Sequence, residues 1–384
     1  MNETASEFDP AWVRSFRRRL VAWYGKHGRS LPWRESRDPY RVWVSEVMLQ
    51  QTTVAAVVPY YERFLARFPT VQSLAAASEH DVLRQWEGLG YYSRARNMHA
   101  AAKRIVAEHG GAFPRTLHEL TSLHGIGRYT AGAIASFAFD EPAPIVEANT
   151  LRLYSRLLAY SGDPRSTAGQ KRLWALAGQI VPDNHAGRFN HALMDLGATV
   201  CTVKQPKCET CPVRRNCRAF EAGSQHSIPA LASRPAVTDV TEAYIVVRKG
   251  DEVLLRRRSE RERWAGLWDF PRCELPGDAV FTTPARNGQQ TLPLGEGLTS
   301  QQRDVLEDQV ASQTGIRTTL GEPFAELRHG VTRFRIRVIC FEARYQSGRV
   351  RNATTRWVKR TAFDELALSR TGRQLAERLA VTRR

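Results

Sequence analysis

Cys201-Thr202-Val203-Lys204-Gln205-Pro206-Lys207-Cys208-Glu209-Thr210-Cys211-Pro212-Val213-Arg214-Arg215-Asn216-Cys217 gathers four of the chain's six cysteines, with six, two and five residues between them. Clustering of this kind points to a metal site and away from scattered disulfides. Four thiolates on one short loop suit zinc or an iron–sulfur cluster, and donor chemistry alone does not choose between them. Lys204, Lys207, Arg214, Arg215 and Arg218 lie among or beside the cysteines, so the same loop is equipped to meet phosphates. Cys273 and Cys340 stand alone and read as small buried hydrophobes.

Upstream of the loop, from about Ala11 to about Ala222, apolar residues recur at three and four, with Gly and Pro as punctuation; this half reads as helical with no strand alternation. Asp38-Pro39 is a helix start, the acid capping free amides and the proline sitting where no donor is missed. A helix is expected to run on from there through Val44, Val47, Met48 and Val54. Downstream, Ser224 to Asp239 is rich in Ser, Ala and Pro and reads as a linker. Beyond it Ala243–Arg248, Val253–Arg257 and Phe334–Ala343 read as strands, Val305–Thr314 as a helix closed by Gly315, and Pro276–Thr299 as a long loop. The expected division is therefore a helical domain over 1–222, a linker over 223–240 and a mixed sheet-and-helix domain over 241–384.

The chain's 384 residues are long enough for two cores. Hydrophobic residues at 42% against 25% charged exclude a disordered chain, and no apolar run approaches the ~20 residues of a bilayer span. Met1 to Pro10 carries three acids and no apolar stretch, so no secretory signal is expected, and a cytoplasmic protein is. Lys and Arg outnumber Asp and Glu by 56 to 39, a surplus that favours a polyanionic partner because each neutralised phosphate releases counterions.

A second motif, Leu123-His124-Gly125-Ile126-Gly127-Arg128-Tyr129-Thr130-Ala131-Gly132, sets two glycines just before a helix over Thr130–Phe137. Glycines allow positive φ and close approach, and the first-turn amides of the new helix then face an anion. With the cysteine loop following in the same order, the chain resembles the iron–sulfur helix-hairpin-helix DNA glycosylases, and within them the adenine glycosylases. The resemblance implies a mainly α helix-hairpin-helix domain with a 4Fe-4S cluster on Cys201, Cys208, Cys211 and Cys217, backbone contacts at Gly125, Gly127 and Arg128, and a monomer bound to duplex DNA. Where bifunctional relatives use a nucleophilic lysine, this chain has Tyr129, which implies hydrolysis without strand cleavage.

Excising a purine calls for one acid to protonate the leaving base and one carboxylate to steady the sugar cation. Glu46 lies in Val42-Trp43-Val44-Ser45-Glu46-Val47-Met48-Leu49-Gln50-Gln51-Thr52, an apolar helix that should bury the acid and raise its pKa. With Leu31-Pro32-Trp33-Arg34 before it, the stretch is similar to the family helix bearing the general acid. The family's Val-Asp-Gly-Asn appears as Val146-Glu147-Ala148-Asn149, one methylene longer at the carboxylate. Asn149 is expected to cap the following helix and, by the resemblance, to orient the catalytic carboxylate or its water, and Asp140 and Glu141 are fallback carboxylates. By the same resemblance Gln51 and Tyr91 wedge into the base stack, and Arg29, Trp33 and His191 read adenine, His191 standing where relatives have Gln or Glu.

Trp264-Ala265-Gly266-Leu267-Trp268-Asp269-Phe270-Pro271 resembles the Nudix-like domain fused to adenine glycosylases. At the place of its magnesium helix the chain reads Asp308-Gln309-Val310-Ala311-Ser312-Gln313-Thr314-Gly315, without the three glutamates that bind magnesium. The implied role is lesion reading, through a loop in which Leu327-Arg328-His329 replaces the family's Phe-Ser-His. The expected activity is hydrolysis of adenine from a mispair with 8-oxoguanine or guanine. A bifunctional endonuclease III-like lyase and a non-catalytic lesion-binding protein are the alternatives.

Overall fold

Short acidic side chains start the first two long helices. In the computed structural model, which describes residues 8–230, 236–275, 298–331, 333–350 and 352–381, Asp9 opens α1 (Pro10–His27) by accepting from the Trp12 amide. Asp38 opens α2 (Pro39–Leu49) through the Tyr40 amide. Each such cap is worth about 1 kcal/mol. There follow α3 (Val54–Arg67), α4 (Val71–Ala76), α5 (Glu79–Trp86), α6 (Ser93–His109), α7 (Leu117–Ser122), α8 (Arg128–Phe139), α9 (Ala148–Leu157), α10 (Thr167–Ile180), α11 (Ala186–Thr199) and α12 (Arg218–Glu221). Among the described residues no strand precedes Thr238, and no helix is long and apolar enough to cross a membrane.

The helix expected to reach Val54 is instead broken after Leu49: Gln51 takes a positive φ of 58° and Thr53 caps α3 through the Ala56 amide. The polar run Gln50-Gln51-Thr52-Thr53 supplies local hydrogen bonds that compete with helix continuation. α2 packs on α8, whose Ala131, Gly132 and Ala133 let the chain come close; a Cβ on Gly132 would strike the Pro144 carbonyl. A second core joins α1, α9, α10 and α11 around Phe16, Leu20, Leu153, Tyr154, Leu173 and Leu193. Gly197 brings α11 onto the start of α9, where a Cβ would lie 2.7 Å from that of Asn149.

The C-terminal chain forms a seven-stranded sheet from β1 (Thr238–Lys249), β2 (Glu252–Arg257), β3 (Trp268–Asp269), β4 (Arg272–Glu274), β5 (Ile316–Val331), β6 (Phe334–Gly348) and β7 (Thr355–Lys359). The order is β3-β2-β1-β6-β5, with β4 beside β1 and β7 beside β2, and β1 runs parallel to β6. Alternation on β1 sends Ala243, Ile245 and Val247 to one face, under Leu306 and Val310 of α13 (Ser300–Thr314). It sends Tyr244 and Val246 to the other, under Leu375 and Leu379 of α14 (Arg370–Val381). Gly315, at φ 74°, closes α13 as its sequence implies.

Two readings of this half change. β1 begins at Thr238, inside the stretch read as linker, because Thr238-Asp239-Val240 pairs with Phe334-Arg335-Ile336 far along the chain. Leu327-Arg328-His329, expected as a loop, lies on β5 opposite Val338-Arg337-Ile336 of β6; Gly321, Pro323 and the register shifts beside them hide the strand from its sequence. Of the long loop expected over Pro276–Thr299, residues 276–297 lie outside those described. Contacts divide the chain into two units, Met1–Ala76 with Asn97–Ser233, and Ala77–Arg96 with Arg234–Arg384.

Candidate active site

Glu46 sits on α2 with only 3% of its surface exposed, held between residues that are themselves buried. Across 83 positions of sequence the Tyr129 hydroxyl donates to its Oε2 at 2.5 Å. Burial pushes the Glu46 carboxyl up to about 7, the Tyr129 bond opposes this, nearby Glu147 adds to it, and Arg34 pulls the other way. Burial and the Glu46 carboxylate raise Tyr129 well above the ordinary phenol range, so the phenol keeps its proton and remains the donor. The O–H is directed at Oε2, which leaves Oε1 as the oxygen able to carry and release a proton.

Glu147 occupies a contrasting position, the N-cap of α9. Its Oε1 accepts from the Asn149 amide at 2.8 Å and the Thr150 amide at 2.9 Å, and its Oε2 from Asn149 Nδ2 at 3.3 Å. Its own amide donates to Thr150 Oγ1 at 2.8 Å, completing a capping box. Asn149 is thus not the cap the sequence reading made it, since the longer Glu147 side chain folds back onto its own helix and takes that place; Asn149 instead donates to the carboxylate, the other role the resemblance gave it. Burial raises the Glu147 carboxyl, while the amides and Arg152 lower it. The fallback acids are otherwise employed: Asp140 accepts from the Gly187 and His185 amides at 3.0 and 3.1 Å, and Glu141 is exposed.

Asp195, fully buried on α11, organises the residues assigned to base reading. It accepts from Arg29 N and Nε at 2.9 and 2.8 Å and bidentately from Arg34 Nη1 and Nη2 at 2.8 and 2.9 Å. The two guanidiniums outweigh burial and hold Asp195 below the usual carboxylate range. One turn earlier His191 stacks on Phe137, ring centroids 4.0 Å apart, and burial followed by the Arg34 charge lowers it to about 3. It is a neutral imidazole. Trp33 turns away into the core, 5% exposed and edge-on to Tyr61. Sequence reasoning assigned no role to Arg34 or Asp195; an acid alone among the apolar residues of α11 is the same signal that singled out Glu46.

At the hairpin Gly125 takes φ 74°, where a Cβ would lie 2.8 Å from that of Asn97. Gly127 starts α8 with no side-chain cap, leaving first-turn amides facing outward, and Arg128 lies 3.8 Å over the Trp174 ring. Gln51 and Tyr91 are both exposed and both at positive φ, 58° and 49°, a backbone state costly for such residues. On the C-terminal sheet Arg328 is exposed and paired with Glu326 at 2.7 Å, while His329 lies 6.0 Å from the Trp264 ring. Burial, then Arg370 and Arg272, lower the His329 pKa.

The four cysteines of the loop line one cavity. Among the described residues no three metal-ligating side chains close on a single ion. Burial pushes Cys211 up to about 12 and Cys217 to about 11; a cationic group in the cavity is what would convert them to thiolates. Arg156 of α9 donates to Cys201 Sγ at 3.2 Å. Arg152 joins the Cys201 carbonyl, at 2.7 Å, to Asn149 Oδ1, at 3.0 Å. The helix that presents Glu147 is thereby the one that grips the cysteine loop.

Residues 44–179 match the model of the HhH-GPD superfamily of base excision DNA repair proteins, and residues 243–378 that of the NUDIX domain. The adenine DNA glycosylase of Mus musculus is 44% identical over 273 residues, 69% of this chain and 52% of that protein, so the chain spans about half the length of this curated relative. A solved structure of a thermostable thymine-DNA glycosylase is 28% identical, with a TM-score of 0.51, and covers 55% of this chain and 98% of its own. The adenine DNA glycosylase of Buchnera aphidicola (subsp. Schizaphis graminum) is 37% identical and is itself covered over 74% of its length, against 67% of this chain; with the buried acid, its phenol partner and the capped second carboxylate in family order, the chain belongs to the adenine DNA glycosylase family.

Proposed function

We propose that the chain hydrolyses the N-glycosidic bond of adenine mispaired with 8-oxoguanine or guanine in duplex DNA and leaves an abasic site without cutting the strand. One observation carries this reading: Glu46 is a carboxyl held near neutrality by burial, with Tyr129 and not a lysine as its hydrogen-bond partner. Protonated on Oε1, Glu46 passes its hydrogen to ring nitrogen 7 of the extruded adenine, which lowers the basicity required of the leaving group. Glu147, whose carboxylate form is favoured by two helix amides, faces the positive charge that grows on the sugar. Arg29 and neutral His191, braced through Asp195 and Phe137, read the base edge, and Gln51 and Tyr91 fill the stack it leaves. Tyr129 offers no amine for a Schiff base, which separates this reading from a lyase.

The rest of the molecule supports the same partner. The uncapped start of α8 at Gly127 and Arg128 receives a backbone phosphate, and the charge of +17 supplies the attraction for duplex DNA. Cys201, Cys208, Cys211 and Cys217 would hold a 4Fe-4S cluster, which when bound cross-links the loop bearing Lys204, Lys207 and Arg214. We assign 1–222 to glycosylase chemistry and the sheet domain from β1 onward, with Arg328 and His329, to reading the opposing lesion. The protein works as a cytoplasmic, nucleoid-associated monomer. The test is incubation with duplexes holding adenine opposite 8-oxoguanine, guanine or thymine. Alkali-labile abasic product from the first two, with no borohydride-trapped adduct, is expected; binding without product defeats the assignment.

A further inference from the structure

The turn that presents Tyr91 is strained and braced. Gly88, Gly90 and Tyr91 take φ of 94°, 77° and 49° in quick succession. The Gly90 carbonyl accepts from both Trp86 Nε1 and Arg94 Nη2 at 3.1 Å, and the Gly88 amide donates to the Tyr92 hydroxyl at 3.1 Å. The Arg94 guanidinium also lies 5.4 Å from the Tyr91 ring. These bonds define the turn's shape, but none of them ties it to a larger body.

That tie comes from Glu87, the residue just before the turn. Its Oε2 accepts from the Leu368 amide at 3.2 Å, and its two oxygens accept from Arg373 Nε and Nη2 at 2.6 and 3.1 Å. Arg373 is itself fastened to the carbonyls of Phe363 and Leu366 at 3.1 and 2.8 Å. The pair is well shielded, with 10% of the Glu87 and 16% of the Arg373 side chain exposed, so water screens it little. Arg84 Nε donates to the Asp364 carbonyl at 2.7 Å, and His80 Nε2 lies 2.9 Å from the Glu365 carbonyl. They lie within one unit, in which Ala77–Arg96 groups with Arg234–Arg384, and Arg96 Nη1 adds a bond to the Ala265 carbonyl at 2.5 Å.

We propose that Arg373 is a positioning residue for Tyr91: by clamping Glu87 it makes the sheet unit carry the wedge, so the side chain that enters the stack and the unit that reads the opposing base move as one body. This rests on the wedge role given to Tyr91 above. A clamp of this kind ties lesion reading to base extrusion without a residue touching either base, since displacement of a positioned group by ~1 Å can cost on the order of a hundredfold. Arg373 lies on α14, well outside the residues assigned to chemistry.

The experiment uses the full-length protein carrying whatever cluster it holds when purified. Glu87→Gln, Arg373→Gln, Tyr91→Ala, the charge exchange Glu87→Arg with Arg373→Glu, and the double variant Tyr91→Ala with Arg373→Gln are compared. Two readouts are taken: single-turnover excision of adenine opposite 8-oxoguanine and opposite guanine, and amide hydrogen exchange over residues 88–92. Expected is about a tenfold loss of the preference for 8-oxoguanine in each single variant. Faster exchange in the Glu87 and Arg373 variants, partial recovery in the charge exchange, and no further loss when Arg373→Gln is added to Tyr91→Ala are also expected. Exchange over 88–92 unchanged by Arg373→Gln, or losses that simply multiply, overturns the clamp while leaving the wedge intact. A Tyr91→Ala enzyme with full preference removes the wedge reading and the clamp's purpose with it.

Discussion

The interior of α2 and the N-cap of α9 each hold one glutamate, and the two surroundings push the same side chain toward opposite tasks. Glu46 lies on an apolar stretch of helix and receives a hydrogen bond from a phenol. Glu147 receives two main-chain amides and an amide side chain at the positive end of a helix. Burial raises both, and at the second it is opposed by main-chain amides that the first lacks. Two acids with separated roles arise from hydrogen-bond supply, not from residue type. Because each feels the other's charge, their titration belongs to the pair.

Removing the proton donor is the severest way to break this contrast. Glu46→Gln should lower single-turnover adenine excision by at least about a thousandfold, within the range expected of general acid catalysis, with duplex binding retained in a gel-shift assay. The same variant should be the more stable protein above pH 7. The folded Glu46 pKa of about 7 exceeds its ordinary value of 4.5, so the native state binds the extra proton between those values, and stability is lost as pH rises through the window. Urea unfolding should show the variant and wild type equal below pH 4.5 and diverging toward pH 7; a constant offset at every pH would mean that Glu46 is not the buried acid described.

Glu147 probes the other half of the comparison. Glu147→Ala should cost about a hundredfold in excision by withdrawing the anion, and about 1 kcal/mol in stability by uncapping α9. Glu147→Asp, which restores the family's shorter carboxylate, should stay within about tenfold of wild type, since a short acid caps a helix equally well. Excision by the aspartate variant as poor as by the alanine variant would show that the chain has adapted its site to the longer side chain.

The smallest effect sharpens the contrast. Tyr129→Phe withdraws the one donor that favours ionised Glu46, so its pKa should rise. In a pH–rate profile the alkaline limb, expected near 7 for wild type, should move upward while the maximal rate falls only several-fold. A limb that stays in place would assign it to another group.

Much of this was legible before any coordinates. The helical half followed from periodicity, the cysteine loop and the glycine hairpin from spacing, and burial of Glu46 from its apolar neighbours at three and four, all properties of a few consecutive residues. β5 was not legible, because Gly321, Pro323 and the bulges beside them suppress the alternation that marks a strand. The break at Gln51 was missed because a hydrophobic pattern does not register a positive φ. Asp195 was passed over although its context matched that of Glu46, for nothing nearby in sequence names Arg29 and Arg34 as partners 166 and 161 positions away.

By itself the sequence determined which chemical groups the protein possesses and which secondary structure carries them, since both depend on short-range sterics and periodicity. Tertiary packing alone decided that Tyr129 meets Glu46, that Asp195 gathers Arg29 and Arg34, and that Ala77–Arg96 sides with the sheet. Those outcomes turn on distances between residues scores of positions apart, and a carboxyl's protonation is set by the donors and the dielectric that only the folded chain assembles around it.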